Sequence, residues 1–144
     1  MTAQTKLQDP TLLIDRAKEA MQKAYAPYSH HYVGAALLSE DGRIWTGCNI
    51  ENAAYSPSIC AERTAIAKAV SEGARSFAAI AIVGGREGHI TGSFPPCGVC
   101  RQVMAEFCCP DTFLVFLGTP TGFETHTLRE LLPSGFFPSA LQGD

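Results

Sequence analysis

Residues 58–65 are Ser58-Ile59-Cys60-Ala61-Glu62-Arg63-Thr64-Ala65, and residues 95–102 are Pro95-Pro96-Cys97-Gly98-Val99-Cys100-Arg101-Gln102. Each segment begins a predicted helix, and together they offer three thiols and one carboxylate. Three protein ligands leave the fourth corner of a zinc tetrahedron open, and an open corner distinguishes a catalytic zinc site from a structural one. The two segments therefore predict a fold in which two helix starts meet at a zinc ion.

The candidate zinc ligands are Cys60, Cys97 and Cys100. Cys97 and Cys100 are three residues apart, so both sulfurs can approach one ion at the start of a helix. The helix dipole and the free N–H groups there stabilise thiolates. A single CxxC pair also occurs in redox proteins, and a disulfide or redox protein therefore stays open as an alternative.

Glu62 lies two residues after Cys60 and is the candidate proton carrier. A carboxylate beside the metal can take a proton from zinc-bound water, whose pKa the metal lowers to about 7. It can then return that proton to the substrate as a general acid. An isolated Glu in the first turn of a helix more often interacts only with the helix dipole, so this role depends on the neighbouring cysteine.

Three polar residues near these segments are further candidates. Three thiolates leave Zn²⁺ with a net negative charge, which makes a nearby cation useful, and Arg63 is adjacent in sequence. Asn49 and Glu51 end a predicted strand and are two residues apart, so they face the same side. On their own, these two side chains could equally be solvated surface groups.

The composition restricts the class of protein. A chain of 144 residues is long enough for one domain, residues 1–144, and too short for two ordinary ones. A formal charge of −3 argues against a nucleic-acid partner, and no apolar run approaches the roughly 18 residues needed to cross a membrane. Residues 1–9 are polar and predict no secretory signal. Six cysteines without such a signal indicate a reducing compartment, the cytoplasm.

The order of the predicted elements indicates an α/β fold with a mixed sheet covered by helices. The elements are a helix from Pro10 to about Tyr25, a hairpin of Tyr32–Ser39 and Arg43–Ile50, a helix from Ile59 to Glu72, a strand Phe77–Val83, a helix Gly98–Phe107, strands Thr112–Leu117 and Phe123–Thr127, and a short helix Leu128–Leu132. Residues 84–96 are predicted to form a loop. The remaining cysteines, Cys48, Cys108 and Cys109, are expected to be buried apolar side chains.

The chain resembles the small homotetrameric, zinc-dependent cytidine deaminases over nearly its whole length. Four blocks carry the resemblance: Val33-Gly34-Ala35-Ala36-Leu37, Gly47-Cys48-Asn49-Ile50-Glu51-Asn52-Ala53-Ala54-Tyr55, Cys60-Ala61-Glu62-Arg63-Thr64 and Pro96-Cys97-Gly98-Val99-Cys100-Arg101-Gln102. The resemblance implies a three-layer α/β/α cytidine-deaminase-like fold with a mixed five-stranded sheet. It also implies hydrolysis of cytidine and deoxycytidine to uridine and deoxyuridine, with release of ammonia, in pyrimidine salvage.

The same resemblance implies roles at the metal. Cys60, Cys97 and Cys100 match the family's zinc ligands, and Glu62 matches its proton shuttle. Zinc-bound hydroxide would attack C4 of the base while Glu62 protonates N3 and later the leaving amine. Arg63 matches a residue that hydrogen-bonds the zinc thiolates.

It also implies how a pyrimidine nucleoside would be held. Asn49 and Glu51 match residues that bind the ribose hydroxyls, and the backbone of Ala61 matches a contact to the pyrimidine. Phe136 stands where the family carries a ring that enters the neighbouring subunit's site, which would make the active site composite. His31 stands where the family usually has a Phe that stacks on the base, and we expect its flat ring to take that place and make affinity pH-dependent.

Two further alternatives remain at this stage. One is a related deaminase of another substrate such as blasticidin S, although Asn49 and Glu51 favour a ribonucleoside. The other is a structural zinc module without enzymatic activity. Such a module requires a fourth protein ligand, and no fourth Cys or His has a suitable spacing.

Overall fold

The structure is a computed structural model that describes residues 2–142. It contains one sheet, with helices on both faces. In chain order the elements are α1 (Ala3–Gln8), α2 (Thr11–Met21), β1 (His31–Ser39), β2 (Ile44–Cys48), α3 (Ala61–Ser71), β3 (Phe77–Arg86), α4 (Gly98–Phe107), β4 (Leu114–Thr119), β5 (Gly122–Thr127), α5 (Leu128–Leu131) and a short 3₁₀ helix (Pro138–Ala140).

The strand order in the five-stranded sheet is β2-β1-β3-β4-β5. Strands β3 and β4 run parallel, and every other neighbouring pair is antiparallel. Two parallel strands need a crossover connection, and α4 lies in the connection from β3 to β4. The mixed five-stranded sheet is therefore confirmed.

The helices form two layers, one on each face of the sheet. On one face, α2 packs through Leu13, Ala17 and Met21 against inward-facing residues of β1 such as Ala36 and Leu38. On the other face, α3 and α4 pack against the residues that alternate with these, and the buried side chains of that cluster include Leu37, Ala65, Ile66, Ile80, Ile82 and Met104. Because successive side chains of a strand point to opposite faces of the sheet, each strand contributes to both cores. The three-layer α/β/α arrangement is therefore confirmed.

The N-terminal region differs from the expectation. Residues 3–8 form α1, which the sequence did not predict because six residues are too few to show a helical period. The Lys6 ammonium group is buried and donates to the carbonyl of Gly42 in the β1–β2 turn. The following helix, α2, ends at Met21 and not near Tyr25.

The cysteines outside the two motifs were predicted to be buried, and this was correct only for Cys108. Cys48 is half-buried, and Cys109 is exposed in the turn after α4. Hydrogen bonding from Thr112 holds the pKa of Cys109 below its ordinary value. None of the helices within residues 2–142 is both long and apolar enough to span a membrane.

Candidate active site

The first turns of α3 and α4 bring the three motif cysteines together. Cys60 is the N-cap of α3, Cys97 is the N-cap of α4, and Cys100 lies in the first turn of α4. The Sγ atoms of Cys60 and Cys97 are 3.8 Å apart, and those of Cys97 and Cys100 are 3.5 Å apart. All three sulfurs lie within 4.8 Å of one another. The predicted meeting of two helix starts is therefore present.

The spacing of the sulfurs fits a zinc ion. A Zn–S bond of about 2.3 Å in a tetrahedron requires sulfurs about 3.8 Å apart, close to the 3.8 and 3.5 Å found here. Within residues 2–142 the cluster consists of three ligand side chains. Three ligands leave one tetrahedral position for water or substrate, which is the pattern of a catalytic site.

Arg63 supplies positive charge beside the sulfurs, as the sequence predicted. Its Nη2 donates to Cys60 Sγ at 3.4 Å, and its Nε is buried without a hydrogen-bond partner in the described part of the chain. Hydrogen bonding from the Cys100 thiol and from Arg63 lowers the pKa of Cys60 to about 5, although burial opposes the shift. The sharing of a proton with Cys60, together with burial, raises the pKa of Cys100. A zinc ion would replace that shared proton.

Glu62 has the burial that its predicted role requires. Its side chain is only 3% exposed. Glu62 lies in the first turn of α3, two residues after the N-cap residue Cys60. Burial raises the pKa of Glu62 to about 7, because a charged carboxylate loses its hydration there. A carboxyl group with such a pKa can both accept and donate a proton near neutral pH.

A cavity of about 560 Å³ opens directly beside the cluster. Cys60, Cys97 and Glu62 line it together with Ala61, whereas Cys100 lies behind them and is fully buried. The volume is within the range of small-molecule sites. An organic ligand in this cavity would therefore lie next to the candidate metal position and the buried carboxyl group.

Asn49 lines the same cavity and is held by the backbone of β1. Its Oδ1 accepts from the N–H of Val33 at 2.9 Å, and its Nδ2 donates to the carbonyl of His31 at 2.8 Å. An amide has two acceptor and two donor positions. One of each therefore remains for a ligand.

Glu51 lines the cavity two residues further along, although β2 ends at Cys48 and not at Ile50 as predicted. Its Oε1 accepts from the backbone N–H groups of Tyr28 and Ser29 at 3.0 and 3.1 Å, and its Oε2 accepts from the Ser29 hydroxyl at 2.5 Å. Desolvation raises the pKa of Glu51, but these hydrogen bonds outweigh it and hold the pKa below its ordinary value. Glu51 is therefore an ionised, oriented acceptor.

His31 and Phe94 place two rings at the cavity wall. The His31 Nδ1 is 2.9 Å from the carbonyl of Ser29, and a carbonyl only accepts, so Nδ1 carries the proton. The centroid of the Phe94 ring is 6.4 Å from that of His31, and the two planes are inclined by 33°. Sequence reasoning missed Phe94, because it lies in an irregular loop whose residues have no spacing that indicates a ligand.

Phe136 is the candidate residue that the single chain does not bring to the cavity. Its side chain is 57% exposed, and its carbonyl accepts from Gln102 Nε2 at 2.8 Å. The role predicted for Phe136, in which its ring enters the site of a neighbouring subunit, stays a prediction.

Comparisons with known proteins agree with this geometry. The family model described as the cytidine and deoxycytidylate deaminase zinc-binding region matches residues 7–116. A cytidine deaminase from Sporosarcina psychrophila is 51% identical over 128 residues, which cover 89% of this chain and 91% of that protein. A cytidine deaminase from Halalkalibacterium halodurans is 50% identical over 129 residues, covering 89% and 94% of the two chains.

Solved structures show the same fold. The crystal structure of cytidine deaminase from Burkholderia pseudomallei superposes with a TM-score of 0.81 at 46% identity, covering 88% of this chain and 98% of that one. That of cytidine deaminase from Mycobacterium tuberculosis gives 0.75 at 38% identity, covering 89% and 97%. With three clustered thiols that could hold a zinc ion, a buried glutamate beside them and this degree of similarity, the chain belongs to the cytidine deaminase family of zinc-dependent enzymes.

Proposed function

We propose that the protein hydrolyses cytidine and deoxycytidine to uridine and deoxyuridine with release of ammonia. The observation that carries the proposal is Glu62, a buried carboxyl group with a pKa of about 7 beside three thiols that fit a zinc ion. The cavity at this point is large enough for a nucleoside and carries an ionised carboxylate, Glu51, among its lining residues. The names of the relatives support cytidine as the substrate.

The residues of the chain divide the chemistry between them. A zinc ion held by Cys60, Cys97 and Cys100 would lower the pKa of a bound water, so that this water can lose a proton and act as a nucleophile at neutral pH. Glu62 accepts a proton from the attacking water and delivers it to N3 of the pyrimidine. It then takes the second proton, from the hydroxyl group formed at C4, and gives it to the amine. The C4–N bond breaks as the C4 carbonyl forms, so that water and cytidine give uridine and ammonia.

The substrate is held by groups that the cavity already orients. Asn49 and Glu51 bind the ribose hydroxyls with the hydrogen-bonding positions that the backbone leaves free. The backbone of Ala61 contacts the pyrimidine, and the ring of His31 lies flat against it. A nucleoside bound in this way presents C4 to the metal position and N3 to Glu62.

The wider setting is part of the same proposal. Residues 1–144 form one deaminase domain that acts on free nucleosides in pyrimidine salvage, in the cytoplasm, without a nucleic-acid or membrane partner. Four copies assemble, and Phe136 of each completes a neighbouring site. Its exposure in the single chain supports a contact of this kind.

The test is the absorbance of cytidine mixed with the purified protein, with and without a zinc chelator. We expect cytidine and deoxycytidine to be converted, ammonia to appear in equal amount, and both to stop when the metal is removed. Blasticidin S serves as the comparison substrate. Turnover of blasticidin S without turnover of cytidine would contradict the proposal, as would cytidine conversion that persists in a protein free of metal.

A further inference from the structure

We propose that Ser29 is a positioning residue that fixes the ribose-binding carboxylate of Glu51 and leaves it one acceptor position for a sugar hydroxyl. The inference rests on the proposed role of Glu51 in holding the sugar. It concerns a serine that lines the cavity and lies in the turn before β1.

Ser29 contacts Glu51 with two donors. Its backbone N–H donates to Oε1 at 3.1 Å, and its hydroxyl donates to Oε2 at 2.5 Å. The two bonds hold both carboxylate oxygens and therefore prevent rotation of the group about its terminal bond. Hydrogen bonds to an ionised acceptor are stronger than hydrogen bonds between two neutral groups.

The count of acceptor positions gives this contact a functional meaning. An ionised carboxylate has about four lone-pair positions. The N–H groups of Tyr28 and Ser29 and the Ser29 hydroxyl occupy three of them. One position remains, and its direction is set by the three donors, so Glu51 presents a single oriented acceptor to a ligand hydroxyl.

The same hydroxyl also reaches the start of β1. The Ser29 oxygen accepts from the backbone N–H of His31 at 3.1 Å, and the Ser29 carbonyl accepts from the His31 ring at 2.9 Å. Its one proton is used on Glu51, so the direction of each bond is fixed. Ser29 therefore links the carboxylate proposed for the sugar to the ring proposed for the base.

A purely structural role for Ser29 is the competing explanation. The turn that contains it is closed by a bond from the His30 N–H to the Ala26 carbonyl at 3.0 Å, and His30 has a left-handed φ of 58°. Glu51 is also tied to the start of this turn through a bond from its N–H to the Tyr25 carbonyl at 2.8 Å. The backbone thus holds the turn without the hydroxyl, and the Ser29 side chain adds only its two bonds, one to the Glu51 carboxylate and one from the N–H of His31.

The experiment compares ligands with and without sugar hydroxyls. Dissociation constants of uridine and of 2′,3′-dideoxyuridine are measured on the zinc-loaded protein and on Ser29→Ala, Ser29→Thr and the control Ser71→Ala. Ser71 is an exposed serine outside the cavity whose hydroxyl bonds to the Lys68 carbonyl. The Ser71→Ala variant tests whether removal of any exposed serine hydroxyl weakens uridine binding in the same way.

We expect Ser29→Ala to bind uridine about 5- to 30-fold more weakly than the parent protein does, equivalent to about 1–2 kcal/mol of binding free energy. Its dissociation constant for dideoxyuridine should stay within about twofold of the parent value. KM for cytidine should rise with the uridine constant while kcat changes less than about threefold. Ser29→Thr retains the hydroxyl and should restore most of the affinity. In a Glu51→Ala background, Ser29→Ala should add no further loss.

Equal weakening of both ligands, accompanied by a lower melting temperature, would assign Ser29 a structural role and overturn the inference. Unchanged uridine binding in Ser29→Ala, with normal cytidine turnover by the parent protein, would overturn the inference alone. A parent protein that neither deaminates cytidine nor binds uridine would overturn the proposed function, and the role of Ser29 with it.

Discussion

At the scale of single residues, the position of a carboxyl group within its helix determines its chemistry. Glu62 follows the N-cap cysteine by two residues, which puts it in a buried position beside the candidate metal ligands. Burial rather than a neighbouring charge is the main reason that its pKa rises to about 7. The same residue on the solvent face of α3 would be an ordinary surface carboxylate.

The first prediction separates proton transfer from metal binding. Glu62→Ala should keep about one zinc per chain, because the carboxyl group is not needed as a ligand, and should lose deamination by at least the roughly 10²–10⁴-fold typical of general acid–base catalysis. Zinc content and cytidine turnover are measured on the same preparation. Cys97→Ala is the comparison and should lose metal as well as activity. Near-normal turnover by Glu62→Ala would refute the proton-shuttle role.

The second prediction concerns the ring of His31. We expect His31→Ala to bind a pyrimidine nucleoside analogue more weakly, by about 1–3 kcal/mol, because the base loses the flat ring against which it stacks. His31→Phe should bind nearly as well as the parent protein, since it keeps a flat ring at the same position. Dissociation constants of the analogue measure both effects, and binding that is unchanged in His31→Ala would exclude the stacking role.

The candidate site could be predicted where its chemistry follows from local spacing. Cys97 and Cys100 are three residues apart, and Glu62 is two after Cys60, so each motif is visible in the sequence alone. Ser29 and Phe94 were missed because a serine in a turn and an aromatic residue in an irregular loop have no spacing that indicates a ligand. Only the fold brings them to the cavity.

At the scale of elements, the close contact of α3 with β2 sets the position of the metal ligands. Gly47 faces the first turns of α3, and a Cβ atom there would lie 2.6 Å from both the Ala61 carbonyl oxygen and the Ala65 nitrogen. Backbone atoms cannot move aside as a side chain can, so the helix touches the strand itself. Cys60 directly precedes α3, so the contact between α3 and β2 also fixes the position of Cys60.

The third prediction follows from this contact. Gly47→Ala should push the start of α3 away from β2, destabilise the fold by roughly 1–3 kcal/mol as overpacking does, and weaken zinc binding at least about tenfold. Thermal melting and a competition assay with a chromophoric chelator measure the two effects. Gly122→Ala is the matched control, because a Cβ atom at Gly122 meets nothing within 4 Å. Equal behaviour of the two variants would show that the contact does not position the ligands.

The elements were predictable where a period or a turn signal marks them, and less so at their ends. The bounds of α4 were correct, and the β1–β2 hairpin was found from its Asp-Gly turn. Strand β3 runs to Arg86, although Gly84-Gly85 was assigned to a loop. Gly85 pairs with Tyr32 of β1, and the place of its missing Cβ is taken by the carbonyl of His89, 1.9 Å away. These glycines therefore serve close packing within a strand, which sequence alone does not distinguish from a turn.

At the scale of the whole molecule, the question is whether one chain contains a complete site. The cavity is built by the start of β1, the segment between β2 and α3, and the first turns of α3 and α4 with the loop before α4, while the segment after α5 that carries Phe136 lies outside it. The Phe136 ring is more than half exposed in the single chain. Large aromatic side chains in such positions are typical of protein interfaces.

The fourth prediction tests the composite site by mixing subunits. The protein should elute as a tetramer of the 15.4 kDa chain, and Phe136→Ala and Glu62→Ala should each be inactive or nearly so. Co-refolded mixtures of the two variants should regain activity, because a site with Glu62 from one chain and Phe136 from the next is intact. A mixture no more active than its components, or a fully active monomer, would show that each chain works alone.

The loop between β3 and α4 lies between the two motifs that supply the thiols. Cys60 precedes this loop, Cys97 and Cys100 follow it, and Glu87, His89 and Thr91 within it are exposed. A protease that cut the chain there would leave one of the three clustered thiols on the first fragment and two on the second. The two fragments of the nicked protein should therefore elute together in gel filtration while zinc is present. Addition of a chelator should weaken the association between the two fragments.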